Sequence, residues 1–182
     1  SIDDIGREKY HKAPVFSDDP YERLKEYLVD KKIALSNGAV LIHRAVFEEY
    51  IYPERFRSVE DIPMFSYILA NYETIGLDKM VVNIYKHADS LRHNVEYAKK
   101  VGFELIDEVF HEDRMPSECQ SLKKQFYVRR ALSLFRTLHQ AKDYSLSLYF
   151  YGQAAKQNIW CALKWKNLKK ALHAFWVSRI LS

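Results

Sequence analysis

The sequence predicts an α/β fragment dominated by helices. Helical spacing of apolar residues covers most of the 182 positions. Two short β-rich runs, at 39–43 and 80–85, are expected to add a small strand element that completes a larger sheet. From residue 89 onward the pattern is helical to the end.

The elements follow in order. "SDDPYERLKEYLV" (17–29) opens a helix: Asp19 caps it, Pro20 stands where the first helical N–H is not needed, and Glu22 closes a capping box. In "IALSNGAVLIHRAVFEEY" (33–50), "SNG" marks a tight backbone feature, "AVLI" a short buried strand, and "RAVFEEY" the start of another helix. "EDIPMFSYILANYE" (60–73) places Phe65, Ile68, Leu69 and Tyr72 on one helical face. "MVVNIY" (80–85) reads as the second strand, and a helical pattern then runs from Asp89 to Phe110.

The last third reads as a helical hairpin. Leu132, Phe135 and Leu138 make one stripe, Tyr144, Leu148, Tyr151 and Ala155 the next, and "QAKDY" the turn between them. The spacing resembles a tetratricopeptide-type helix pair, but one pair is short of the roughly three repeats a stable array needs. "NIWCALKWKNLKKALHAFWVSRIL" (158–181) is a final amphipathic helix. Trp165, Leu168, Leu172, Phe175 and Trp176 form its expected apolar side, with Lys164, Lys166, Lys169 and Lys170 largely elsewhere.

Composition narrows the class. Hydrophobic residues at 48% and charged residues at 29% describe a soluble chain with a real core. Cys119 and Cys161 are too few and too far apart for a disulfide framework or a zinc cluster, and they fit a reducing compartment. No apolar run approaches the ~20 residues needed to span a bilayer, and the acidic start lacks the layout of a signal peptide. A cytoplasmic protein is expected, with contact to the inner face of a membrane left open.

The net charge of +4 conceals a division. Residues 1–113 hold 15 Lys and Arg against 22 Asp and Glu, a net −7, and residues 114–182 hold 13 against 2, a net +11. We therefore expect one domain over 1–113 and a basic helical extension over 114–182. The basic part should favour anionic surfaces.

"RSVEDIPMF" (57–65) is the stretch on which chemistry turns. A carboxylate acts as a general base if it reaches a substrate hydroxyl with a suitably tuned proton affinity. Equally, Asp61 two residues before Pro63 is a good helix N-terminus, where an acidic side chain meets unpaired N–H groups. The two roles are compatible, because a cap fixes the carboxylate in place.

"SNGAVLIHRAVFEEY", "PERFRSVEDIPMFSYILANYE" and "VVNIYKHADSLRHN" occur in that order over residues 33–94. The ordered set resembles the C-terminal half of family 2 glycosyltransferases of the GT-A fold. The resemblance implies an inverting sugar transfer from a nucleotide-sugar donor to a carbohydrate or lipid-linked acceptor, in bacterial surface polysaccharide or glycolipid synthesis. Asp61 would deprotonate the acceptor hydroxyl and Glu60 would orient the acceptor. Asn37 and Gly38 would lie against substrate, with Gly38 letting the backbone approach closely. His87 would complete the site of a divalent metal, Mn²⁺ or Mg²⁺, on the donor diphosphate. As bare residues, Gly38 reads as a turn glycine and His87 as a strand-end histidine.

The departure from the family is the missing nucleotide-binding half with its Asp-x-Asp motif. Asp18-Asp19 lacks that spacing and reads as a helix cap. The chain is thus expected to be the acceptor-side half, to hold no tightly bound metal, and to be inactive alone. The basic tail suits a solvated helical face, nucleic acid or an anionic membrane surface. With no reader motif for nucleic acid, the membrane surface fits best. The rival to an enzyme is a non-enzymatic helical interaction or membrane-surface module.

Overall fold

The computed structural model describes residues 1–2, 5–85 and 95–180, the side chain of Ile180 excepted. It is mainly helical. The chain forms two compact units, Ser1–Asn94 with Glu108–Gln120, and Val95–Asp107 with Ser121–Ser182.

The first unit is built on α1 (Pro20–Lys25), α2 (Val46–Glu49) and α3 (Asp61–Asn71). Asp19 caps α1 as expected, its side chain accepting from Tyr21 N–H at 2.9 Å. The capping box does not close. Asp19 N–H donates to Ser17 Oγ, and Glu22 pairs instead with Lys25 at 3.1 Å. Beyond α1 the helix widens into a π-turn over Glu26–Asp30, which ends at Lys31 in the left-handed region. The expected helix "RAVFEEY" shrinks to the four residues of α2.

Neither β-rich run is a strand among the described residues. Asn37–Ala39 is a 3₁₀ turn, 40–43 is extended without a ladder, and 80–85 makes only an isolated bridge from Tyr85 to Ile2. The reason is pairing: an extended run becomes a strand only when a neighbour meets its N–H and C=O groups. Leu41, Met80 and Val81 remain exposed as a result.

α3 is buried almost all round. Phe65 and Leu69 lie in the core as the stripe requires, Ile68 and Tyr72 are half-buried, and Met64, Ser66, Tyr67 and Ala70 are buried as well. Pro63 is its third residue, where a missing N–H breaks no helical bond. Tyr67 and Tyr72 both donate to Glu49 Oε2, at 2.6 and 2.7 Å, and so tie α2 to α3. Gly76 is needed for space, since a Cβ there would lie 2.2 Å from the Pro14 carbonyl oxygen.

A buried arginine holds α3 against α1. Arg23 is 5% exposed. Its Nε donates to the Leu69 carbonyl at 3.1 Å and Nη2 to that of Tyr72 at 3.2 Å, while Nη1 donates to the Ser17 and Asp18 carbonyls at 2.9 Å each. The guanidinium fork thus satisfies carbonyls at the end of one helix and before the start of another, which a point-charge ammonium cannot copy. Arg23→Lys is expected to lower stability by about 2 kcal/mol in urea unfolding, since two or more charge-assisted bonds are lost. An unchanged midpoint would remove Arg23 from this role.

The second unit contains α4 (Val95–Val101), most of α5 (Glu104–Val109), α7 (Lys123–Gln140), α8 (Tyr144–Gln157), α9 (Ile159–Ala162) and α10 (Trp165–Ile180), with α6 (Ser117–Gln120) lying in the first. Gly102, at φ +44°, separates α4 from α5 and accepts a hydrogen bond from Arg130. The α7–α8 hairpin forms as expected, with Leu132, Phe135 and Leu138 buried. On α8 the inner line is Ser147, Phe150 and Ala154, one position off the expected Tyr144, Leu148, Tyr151 and Ala155, which are half-buried. Ser147 sets that rotation by donating to the Phe135 carbonyl at 3.0 Å.

α10 departs further. Asn167, Ala171 and Ala174 face inward, while of the expected apolar side Leu168 is half-buried and Trp165, Leu172, Phe175 and Trp176 are exposed. Small inward residues let neighbouring helix backbones approach closely, and Asn167 adds a bond to the Cys161 carbonyl at 2.9 Å.

His173 of α10 meets His139 of α7, Nδ1 to Nε2 at 3.2 Å, with the Tyr144 ring edge-on to both and Lys170 alongside. Burial, then the Lys170 and His173 charges, lower the pKa of His139 from 6.5. A histidine so depressed takes up its proton in the unfolded chain first. Stability is therefore complete above about pH 6.5 and falls as pH drops toward the folded-state pKa. His139→Gln is expected to flatten this slope in thermal melts between pH 7.5 and 5. An identical slope in the variant would exclude His139 as its source.

Candidate functional site

The site lies in the first unit, at the head of α3. The chain reverses just before it: Ser58 sits at φ +76°, a left-handed conformation that a serine rarely adopts. Turn bonds from Val59 N–H to the Phe56 carbonyl and from Ile62 N–H to that of Val59 close the reversal. Glu60 takes the N-cap position and Asp61 is the first helical residue. This corrects the expected cap, since Asp61 lies inside the first turn and not at the N-cap position. Glu60 already has helical backbone angles, and its side chain makes no capping hydrogen bond.

Two buried polar atoms here have no hydrogen-bond partner among the described residues, Ser58 Oγ and Glu60 Oε2. Leaving such a group unpaired costs about 1–3 kcal/mol, so native chains keep few of them. A left-handed serine and two orphaned oxygens within three residues make this the point where the first unit departs most from an ordinary fold. Strain and unmet polar groups of this kind concentrate where a ligand completes the bonding.

Two tyrosines flank the pair. Burial, then the Asp61 charge, raise the Tyr27 hydroxyl, and Tyr27 also packs edge-on to Phe65, one turn along α3 from Asp61, with ring centres 6.3 Å apart. Burial, then Asp61 and Glu60, raise Tyr52. Both phenols therefore stay protonated at neutral pH. Tyr52 donates to Asn37 Oδ1 at 2.9 Å, which ties the "SNG" turn to Tyr52.

Of the five residues singled out from sequence, Glu60 and Asp61 stand together at the head of α3, Asn37 accepts from Tyr52, and Gly38 follows Asn37 in the 3₁₀ turn. His87 lies outside the described residues. Gly38 is not required by the fold, because its φ is not positive and an added Cβ would meet only Val82 Cγ2 at 3.9 Å. Among the described residues no group of three His, Cys, Asp or Glu side chains is placed to hold a metal. Ser58, Tyr52 and Tyr27 were missed from sequence. Nothing in "RSV" announces a left-handed serine, and the two tyrosines are distant in the chain from the helix they flank.

The segment carrying Glu60 is anchored from beneath. Glu108 is buried and accepts from Tyr50 Oη at 2.7 Å, from Arg114 Nη2 at 2.7 Å, and from Arg55. Arg114 also stacks on the Tyr50 ring at 4.6 Å. Residues 50–56 are thereby held at both ends of the stretch that leads to Ser58.

Comparison of the chain with models of known families, with curated proteins and with solved structures gave no match.

Proposed function

We propose that this chain supplies the acceptor-side half of an inverting glycosyltransferase of the family 2 type, with Asp61 as its general base. One observation carries the reading. An acidic pair stands at the head of α3 beside orphaned Glu60 Oε2 and Ser58 Oγ, an arrangement suited to a polyhydroxylated acceptor. In the proposed step Asp61 takes the proton of one acceptor hydroxyl as its oxygen bonds to the anomeric carbon. The bond from that carbon to the diphosphate oxygen breaks, and the nucleoside diphosphate leaves with the electron pair from the opposite face. Glu60 accepts from, and Ser58 donates to, neighbouring hydroxyls of the acceptor. Tyr52 and Asn37 form one wall.

A divalent metal would neutralise the departing diphosphate, and His87 is its proposed contact, but the described residues offer no ligand set for it. Nucleotide binding is assigned to a partner half, which the largely exposed runs at 40–43 and 80–85, without a ladder among the described residues, would join as strands. Within this proposal the protein works at the cytoplasmic face of a membrane on a carbohydrate or lipid-linked acceptor. No helix among the described residues is long and apolar enough to cross one.

The test is acceptor-dependent release of nucleoside diphosphate from a panel of nucleotide sugars. The complete gene product is expected to turn over and residues 1–182 alone to be inactive. Turnover by the 182 residues alone would contradict the assignment. The rival reading, a non-enzymatic helical module, draws on the exposed aromatic residues of α10 and predicts no release by either.

A further inference from the structure

All three tryptophans of this chain are on the surface: Trp160 is 78% exposed, Trp165 71% and Trp176 65%. Tryptophan is highly buried on average, so full display of the set calls for a partner environment. On α10, Trp165, Leu172 and Trp176 recur at i, i+7 and i+11 and so form one outward line, with Phe175 beside it. The preceding turn adds exposed Ile159 and Leu163.

Charge defines the partner. Lys164, Lys166 and Lys169 are exposed along the same stretch, and Arg179 lies over the Phe175 ring at 4.7 Å. From Tyr144 to Ser182 the sequence has no Asp or Glu at all. A second copy is disfavoured, because face-to-face pairing would bring the lysines together. Nucleic acid would use the lysines and rings but not Leu172, Ile159 and Leu163. An anionic bilayer uses every part: aliphatic side chains and rings enter the acyl boundary, indole N–H groups stay at the headgroup level, and lysines reach phosphate.

We propose that α9 and α10 form a docking face for an anionic lipid bilayer, with α10 lying in the plane of the interface. The proposal stands apart from glycosyl transfer, and its test reads no turnover. Because all three tryptophans are exposed on α9 and α10, intrinsic fluorescence reports on these helices directly. The full chain is titrated with vesicles of phosphatidylglycerol mixed with phosphatidylcholine, and with phosphatidylcholine alone. The expected result is a blue shift, with quenching by brominated acyl chains, on the anionic vesicles only, reversed by raising the salt. Replacing Lys164, Lys166 and Lys169 by Gln should weaken binding by roughly a hundredfold, at about fivefold for each lysine. Trp165→Gln with Trp176→Gln should weaken it at least about tenfold in a protein of unchanged helicity, since both positions are solvent-exposed. Absence of a shift on anionic vesicles, equal binding to neutral ones, or a blue shift produced by dimerisation without lipid would each overturn the proposal.

Discussion

Asp61→Asn is expected to abolish acceptor-dependent transfer while leaving the fold in place. Asparagine matches aspartate in size and can still occupy the first turn of α3, but it cannot accept the hydroxyl proton. Loss of a positioned general base removes on the order of 10²–10⁴ in rate. Under the proposed mechanism the effect should fall on kcat, because the acceptor's neighbouring hydroxyls would still meet Glu60 and Ser58. Glu60→Gln should instead raise KM for the acceptor more than it lowers kcat. Under the non-enzymatic reading Asp61→Asn changes nothing but stability, by the few tenths of a kcal/mol to 1 kcal/mol that a charge at a helix N-terminus contributes. Turnover in the Asp61→Asn protein within a factor of a few of the parent would rule out Asp61 as base.

The largest stability effect is expected at Glu108. Its carboxylate is 6% exposed and holds two guanidinium groups and a phenol. Glu108→Ala removes the anion and leaves Arg114, itself 29% exposed, without its buried partner. Breaking a buried pair from one side costs roughly 3–5 kcal/mol. The lower end applies here, because Arg55 is 64% exposed and regains water. For a unit of this size the melting temperature should fall by on the order of 10 °C or more. Arg55→Ala, the control, should cost no more than about 1 kcal/mol.

Acid should reproduce the Glu108 effect. Burial alone would raise its pKa, but the Tyr50 and Arg55 hydrogen bonds and the arginine charges outweigh it, so the pKa lies below 4.5. Its contribution is therefore complete above about pH 4.5 and lost as pH falls through the lowered value. A melt of Glu108→Gln that keeps the full acid sensitivity of the parent would show that another carboxylate is responsible.

Local rules read well where the chain could satisfy itself locally. Asp19 and Pro20 start α1, and α7 buries its expected stripe of Leu132, Phe135 and Leu138. Local rules failed where a partner was needed. The runs at 39–43 and 80–85 carry strand composition without a strand. α10 carries an apolar line that faces out, because the second unit buries its alanines instead. Hydrophobicity says that a face must be covered, but not by what.

The same division holds for the site. The sequence by itself determined the acidic pair, its place at the start of a helix, the basic and aromatic tail, and the hairpin, because these depend on spacings within one element. It took the folded chain to put Ser58 in the left-handed region, to bury Ser58 Oγ and Glu60 Oε2 without partners among the described residues, and to set Tyr27 and Tyr52 within reach of the Asp61 charge. Folding likewise decided which side of α10 is covered. Those facts depend on which distant segments pack together, and packing is settled by volume and by the need to pair buried polar groups, neither of which a linear pattern records.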